Sequence, residues 1–379
     1  MKLSYKFINR FSRFIPPALR AFIRSKISLK EFDFTRCVET NPYRNMPKED
    51  YEGSEFCLGI IEEVTQYHKY FIAACRDMKI SYRVLSLLQS NWVDVFKNSN
   101  CDAYLVWPSC MPTSAKEAFD YRLNILEKEI GAIIYPTWKE CWLTEHKPRL
   151  RDWLQANDIP HPQTWVFYDK QQALKFAKSS SFPVVVKTAT GASASGVLIV
   201  HNQRQLAKAI RLAFGRGLRP RSYAPNDRQW GYVYIQKYYP NVKEWRMVRI
   251  GDSYFGYRKE AGESGIHSAS KAWSWLDPSK ELLDLTRTVT EKGGFTSMDV
   301  DIFLTQDNQL LVNECQTMFG CTTPAIQMKV NDNPARYLYE NGQWKLEEGE
   351  FCQNHMCNLR IEHLLSQLRA GKSYETSIL

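Results

Sequence analysis

The stretch Phe182–Val197, FPVVVKTATGASASGV, carries the reading of this chain. Three valines at Val184, Val185 and Val186 predict a buried strand that ends on Lys187. The residues after it are almost all Gly, Ala, Ser or Thr. Small residues let backbone N–H groups close around phosphate oxygens, and the lysine adds a point charge. A Gly-Lys-Ser/Thr triplet would mark a P-loop. None follows here, so this is a different phosphate cradle or a plain strand–turn–strand hairpin.

Working outward, the segments before and after alternate between strand and helix patterns. Downstream, Val197–Val200 reads as a returning strand and 203–214 as a helix. The strand Tyr232–Tyr239 leads into Gln236-Lys237-Tyr238, a polar and aromatic hinge. Glu244-Trp-Arg246 and Arg258 follow on further strands, Arg246–Ile250 and Ser253–Arg258, with a turn at Gly251-Asp252. Ser297–Leu304 and Gln309–Cys315 predict a hairpin turning at Asp307-Asn308. Residues two apart on a strand share a face. Asp299 and Asp301 are therefore expected on one face, and Glu314 and Gln316 likewise. Asn313 has the opposite parity. Clustered carboxylates need a cation, and oxygen ligands of this kind suit Mg²⁺ bridged to phosphates.

Upstream, 56–61, 82–88, 103–107 and 132–135 are short apolar runs separated by helix patterns, which predicts a small parallel α/β sheet. A helix is expected from Thr144 to Asn157, and a strand at Thr164–Phe167. The stretch 218–231 reads as an exposed loop, Lys280–Glu291 as a helix, and Leu359–Leu368 as a last helix.

Taken in order, these parts resemble the ATP-grasp superfamily, in particular the α-L-glutamate ligases and glutathione-synthetase-like enzymes. The resemblance covers roughly 145–324. It rests on Lys147 opening a helix, Pro162-Gln-Thr164 before a strand, Lys187 with Gly191–Gly196, the Gln236–Tyr238 hinge, Glu244-Trp-Arg246, Arg258, and Asp301 with Glu314-Cys-Gln316. Gln316 stands where the family carries Asn, one methylene longer.

The resemblance implies an α/β and α+β architecture, with an N-terminal parallel α/β domain and two lobes sandwiching ATP. It implies a nucleotide site made of Lys147, Lys187, Gly191, Ser193, Ser195, Gly196, Gln236, Lys237, Tyr238 and Glu244. It implies metal ligands Asp301, Glu314 and Gln316 for one or two Mg²⁺ ions, and Arg246 and Arg258 as catalytic cations. The activity implied is ATP-dependent joining of a carboxylate to an amine through an acyl phosphate. A small-molecule or sugar kinase on the same fold and a non-catalytic nucleotide-binding module are the alternatives. Domain boundaries are expected as a basic segment and linker at 1–50, the α/β domain at 51–141, a small lobe at 142–215, a central lobe at 216–330 and a tail at 331–379.

Bulk properties agree with such a protein. The chain has 379 residues, more than one core usually organises. Ten scattered cysteines read as reduced thiols of a cytoplasmic protein. The Cys352, His355, Cys357 and His363 group reads as structural rather than as a zinc site. The net charge is +9, and it is uneven. Residues 1–30 hold eight Lys or Arg side chains interleaved with Phe, Leu and Ile, and the first acid is Glu31. That mixture suits an anionic membrane surface, an inner-leaflet envelope-polysaccharide precursor, or packing on the body. Nucleic acid is not an expected partner.

Overall fold

The computed structural model describes residues 47–110, 112–191, 196–220, 227–260, 273–319 and 327–371, together with Pro16. Apart from Pro16, the basic segment 1–30 lies outside the described residues, as do Ser193 and Ser195.

The four apolar runs read over 56–135 become β2 (Cys57–Ile61), β3 (Ser81–Leu85), β4 (Ala103–Leu105) and β5 (Ile134–Tyr135), and a short polar strand, β1 (Lys48–Glu49), precedes them. They form one sheet in the order β1-β3-β2-β4-β5. Its pairs are parallel except at the edge, where β1 runs antiparallel to β3. Parallel strands need crossovers, and here α1 (Lys69–Asp77), α2 (Trp92–Lys97) and α3 (Thr113–Lys128) supply them. Both faces are covered, so the inner strands β2 and β4 are apolar throughout rather than alternating.

The helix expected over 144–157 is present over Lys147–Ala156, and a further short helix precedes it. Alpha-4 (Trp138–Leu143) starts on a capping box in which Thr137 and Glu140 satisfy each other's backbone groups. Alpha-5 (Lys147–Ala156) begins after His146, with Pro148 in its first turn.

The next layer holds β6 (Thr164–Phe167), α6 (Lys170–Ser179), β7 (Val184–Lys187), β8 (Val197–Val200), α7 (Gln203–Ala213) and β9 (Val233–Lys237). The four strands make a sheet ordered β6-β9-β7-β8. The sequence reading placed residues 216–330 in the second lobe, but β9 lies between β6 and β7 inside the small sheet. The segment before it is closed by a backbone pair between Leu218 and Gln229, and this returns the chain to the small sheet. Alpha-6 and α7 cover one face of that sheet through Ala173, Ala177, Leu206 and Ile210.

A large antiparallel sheet follows. It is built from β10 (Lys243–Ile250), β11 (Ser253–Lys259), β12 (Trp273–Ser274), β13 (Ser297–Leu304), β14 (Leu310–Gln316), β15 (Lys329–Val330), β16 (Asn333–Glu340) and β17 (Gln343–Glu348). Alpha-8 (Lys280–Gly293) packs Leu282, Leu283 and Val289 against one face, over Trp245, Met247 and Val300.

The segment read as a tail is part of two cores. Beta-16 and β17 extend the large sheet. Alpha-9 (Gln353–Arg369) lays Cys357, Ile361, Leu364 and Leu365 against Leu58 and Ile60 of the first sheet and Phe71 of α1. His355 stacks on Tyr70 at 3.9 Å between ring centres, and His363 meets the Tyr135 hydroxyl at 3.1 Å. Leu364→Ala should therefore destabilise the protein by about 2–5 kcal/mol, read as a lower urea midpoint. A surface helix would show almost no change.

Candidate active site

The site lies where the open face of the large sheet meets the small sheet and the start of α5. Beta-7 delivers Lys187 with its stem buried, and β10, β13 and β14 present their charged residues on one face. The register explains the grouping: Asp301 pairs with Glu314, Asp299 with Gln316, and Arg246 with Asp301 across the neighbouring strand.

The charges form a linked cluster. Arg246 grips Asp301 with two bonds of 2.9 Å, and its Nε is 3.3 Å from Asp299. Lys259 donates to Asp301 and, at 2.8 Å, to Glu244. Lys147 pairs with Glu314 at 3.3 Å. Lys187 donates to Asn313 Oδ1 at 3.1 Å. Gln316 donates its amide N–H to Glu145 at 3.0 Å.

Burial sets the protonation of these groups. Burial, assisted by repulsion from Lys147, pushes Lys187 down to about 8. Burial opposes the ionised Asp301 carboxylate, but Arg246 and Lys259 outweigh it and hold its pKa at about 2. Burial raises Asp299 well above the usual carboxylate range. Burial also works against the Lys147 ammonium, and Glu314 and Glu145 reverse that, so its pKa is raised.

The loop after β7 is tied at its described ends. Lys147 N donates to Ala189 O at 3.0 Å, Lys147 Nζ to Gly191 O at 3.2 Å, and Thr188 N to Gly196 O at 3.0 Å. A Cβ on Gly196 would lie 1.8 Å from Thr188 Oγ1, and Gly191 has φ +130°, so both positions need glycine. The loop can thus lie close to a phosphate chain. On the other side of α5, a cleft is walled by Lys147, Leu150, Thr164, Gln236, Val312 and Asn313. Only about 10 Å³ of it is open, so nucleotide entry requires the two sheets to part.

The structure brings together Lys147, Lys187, Gln236, Glu244, Arg246, Asp301, Glu314 and Gln316. Lys237 is exposed, 5.2 Å over the Tyr239 ring, and Tyr238 sits half-buried at the rim. Of the three hinge residues, Gln236 lines the cleft. Arg258 does not reach the site. It pairs across the sheet with Trp245, so strand parity turns it to the opposite face, where it binds Glu260 at 2.6 Å. Its neighbour Lys259 takes the inward place. Arg258→Ala should leave nucleotide affinity within about two-fold, whereas Lys259→Ala should weaken it by at least about ten-fold, both by calorimetric titration.

Asn313 is a second correction. The pairing shifts from Asp301–Glu314 to Ile302–Val312, a bulge that leaves Asn313 without a cross-strand partner. The bulge cancels the parity argument and puts the Asn313 amide on Lys187. The spacing from Asp301 places Asp299 on this face, whereas Glu145 and Asn313 carry no signal of their own in the sequence beyond residue type.

The donors fit Mg²⁺ by chemistry. All are carboxylate or amide oxygens, and both oxygens of Asp299 and Oε2 of Glu145 accept no hydrogen bond. Among the described residues no three of them converge as a finished metal cage. Lys147, Arg246 and Lys259 hold Asp301 and Glu314 instead, which suits an ion delivered on phosphates rather than a resident one.

Comparison with known proteins agrees with this geometry. A family profile described as the ATP-binding domain of the carbamoyl-phosphate synthase L chain matches residues 148–254. A D-alanine–D-alanine ligase structure from Bacillus anthracis superposes with a TM-score of 0.54 at 16% identity, over 84% of this chain and 100% of that one. The chain has the ATP-grasp fold. Among curated sequences, this ATP-grasp chain is 27% identical over 209 residues to a D-alanine–D-alanine ligase of Tolumonas auensis, covering 49% of this chain and 61% of the relative. It is 25% identical over 199 residues to an alpha-aminoadipate–LysW ligase of Saccharolobus solfataricus, covering 50% and 67%. It thus spans about three-fifths of the length of the first. An N5-carboxyaminoimidazole synthase of Aspergillus clavatus, solved with ADP and an aminoimidazole ribonucleotide, superposes with a TM-score of 0.50 at 15% identity, over 70% of this chain and 71% of that one.

Proposed function

We propose that this ATP-grasp chain is an ATP-dependent carboxylate–amine ligase. The observation that carries the reading is the alternation of cations and carboxylates at the junction of the two sheets. Lys147, Lys187, Arg246 and Lys259 face Glu244, Asp301 and Glu314 beside a loop of very small residues.

Lys147 and Lys187 hold the phosphate chain of ATP beside the small-residue stretch that carries Ser193 and Ser195. The end of β9 and the residue after it, Gln236–Tyr238, receive the adenine. Asp301, Glu314 and the Gln316 amide oxygen would hold Mg²⁺, which would supply charge neutralisation on the phosphates. Arg246 and Lys259 sit behind Asp301 and orient it. A substrate carboxylate oxygen attacks the γ-phosphorus and ADP leaves. The amine then attacks the acyl carbon and phosphate leaves. No protein nucleophile takes part, so the chain's contribution is placement, charge and exclusion of water.

The first sheet, 51–141, with α9 across it, provides the wall for the carboxylate and amine. The basic, apolar composition of residues 1–30 supports work at an anionic membrane surface on an envelope-polysaccharide precursor, which flotation with anionic vesicles tests. Among the described residues no helix is long and apolar enough to cross a membrane.

The deciding experiment incubates the protein with MgATP and pools of amino acids, sugar acids and amines, and weighs the products. An adduct joining two pool members, with ¹⁸O moving from carboxylate to phosphate, supports ligation. A product heavier only by a phosphoryl group refutes it in favour of a kinase.

A further inference from the structure

A second, wider cleft of about 300 Å³ lies beyond the same loop, within the range of ligand sites. Ala189 and Thr190 line it, together with α3, the first turn of α5 and residues 228–232. Lys147 faces the narrow cleft, whereas His146 and Arg149 face this one.

Its deep wall is built from buried charge. Lys116, 2% exposed, and Arg149 bind the two oxygens of Asp120. Lys116 also donates to the Cys141 carbonyl at 3.1 Å, and Arg149 to the Trp142 carbonyl at 3.0 Å. Asp120 thus has both oxygens engaged, and the trio keeps one net positive charge. The Arg149 guanidinium lies over the Trp142 ring, 5.0 Å from its centre, which fixes its plane. Its side-chain bonds to described residues all use Nη1, so Nε and Nη2 are left for the cleft.

His146 adds a donor. Its Nδ1 accepts from Arg149 N at 3.4 Å, as the cap of α5. With Nδ1 accepting, the ring is in its neutral form and its proton sits on Nε2. At the rim, Trp230 is 67% exposed, and Tyr232 stacks on Tyr168 at 5.2 Å between ring centres. Arg228 and Glu117 complete the wall, so three cations stand against two carboxylates, and among the described residues no ion pair fills the Glu117 oxygens.

A net-positive wall with a planar guanidinium edge matches a carboxylate. A neutral imidazole N–H and a free carboxylate match hydroxyls. A flat, exposed indole matches the apolar face of a ring. We infer that this cleft binds a sugar acid, a hydroxylated ring carrying a carboxylate, with Arg149 and His146 as polar receptors and Trp230 as platform. Its role as the carboxylate substrate rests on the ligase reading above.

The test titrates full-length protein with D-glucuronate, with D-glucose as the neutral control, in the presence of Mg²⁺ and a non-hydrolysable ATP analogue. Glucuronate should saturate, and glucose should bind weaker by on the order of ten-fold or more. Trp230→Ala and Arg149→Lys should each weaken glucuronate by a similar factor, on the order of ten-fold, with analogue affinity and circular dichroism unchanged. The exposed Trp230 variant keeps the test valid if altering Arg149 harms folding. No saturable glucuronate binding, equal glucose binding, or parent-like affinity in Trp230→Ala overturns the assignment. Failure of the analogue to bind the parent protein would overturn the ligase reading instead.

Discussion

Asp301→Ala is expected to bring the protein close to unfolding, whereas Glu314→Gln should leave it folded and inactive. Asp301 is fully buried and takes bonds from both Arg246 and Lys259. Removing it leaves two buried cations sharing Glu244 and Asp299. Breaking a buried ion cluster from one side costs about 3–5 kcal/mol, a large part of a total stability of about 5–15 kcal/mol. Asp301 titrates at about 2 in the folded chain, below its ordinary value. A depressed carboxylate stabilises above its unfolded pKa, so this contribution is present at neutral pH and is lost as pH falls through the ordinary carboxylate range toward 2. Glu314 is different. Its partner is Lys147 at 3.3 Å, and its side chain keeps 21% exposure. Glu314→Gln should therefore cost about 1 kcal/mol of stability, while turnover falls on the order of 10²–10³-fold. Urea midpoints at pH 7 and steady-state rates separate the two effects. A parent-like midpoint for Asp301→Ala would show that the cluster does not hold the fold.

Nucleotide binding should take up a proton near pH 8, and Lys187→Met should abolish that uptake. Lys187 is buried beside Lys147, and burial brings its pKa to about 8. Near that pH about half the molecules carry a neutral amine. A phosphate oxygen restores the ammonium, so about half a proton is bound per nucleotide, falling toward none at pH 6. The sign follows from the charge: affinity should decline as pH rises above 8. Losing one charge-assisted bond of about 1.5–3 kcal/mol weakens ATP roughly 10–150-fold in Lys187→Met. Calorimetry in two buffers of different ionisation enthalpy measures the uptake. Equal uptake in parent and variant would remove Lys187 from the phosphate site.

By itself the sequence determined the local pieces. The valine run ending on Lys187, the small-residue loop, the hairpin around Asp307-Asn308 and the alternation of Asp299 and Asp301 all follow from spacing of two and from turn chemistry, which neighbouring residues decide. Tertiary structure decided everything that depends on which strand lies beside which. Beta-9 joined the small sheet rather than the large one. Alpha-9 left the end of the chain to cover the first sheet. Lys259 rather than Arg258 faces the site because β11 pairs with β10 in a register that sets Glu244 opposite Lys259. Asn313 reaches Lys187 because a bulge shifts one strand by a residue. Period and turn are properties of a few consecutive residues. Register and bulges are chosen by burying faces that lie far apart in the chain, and a one-residue slip turns every side chain over.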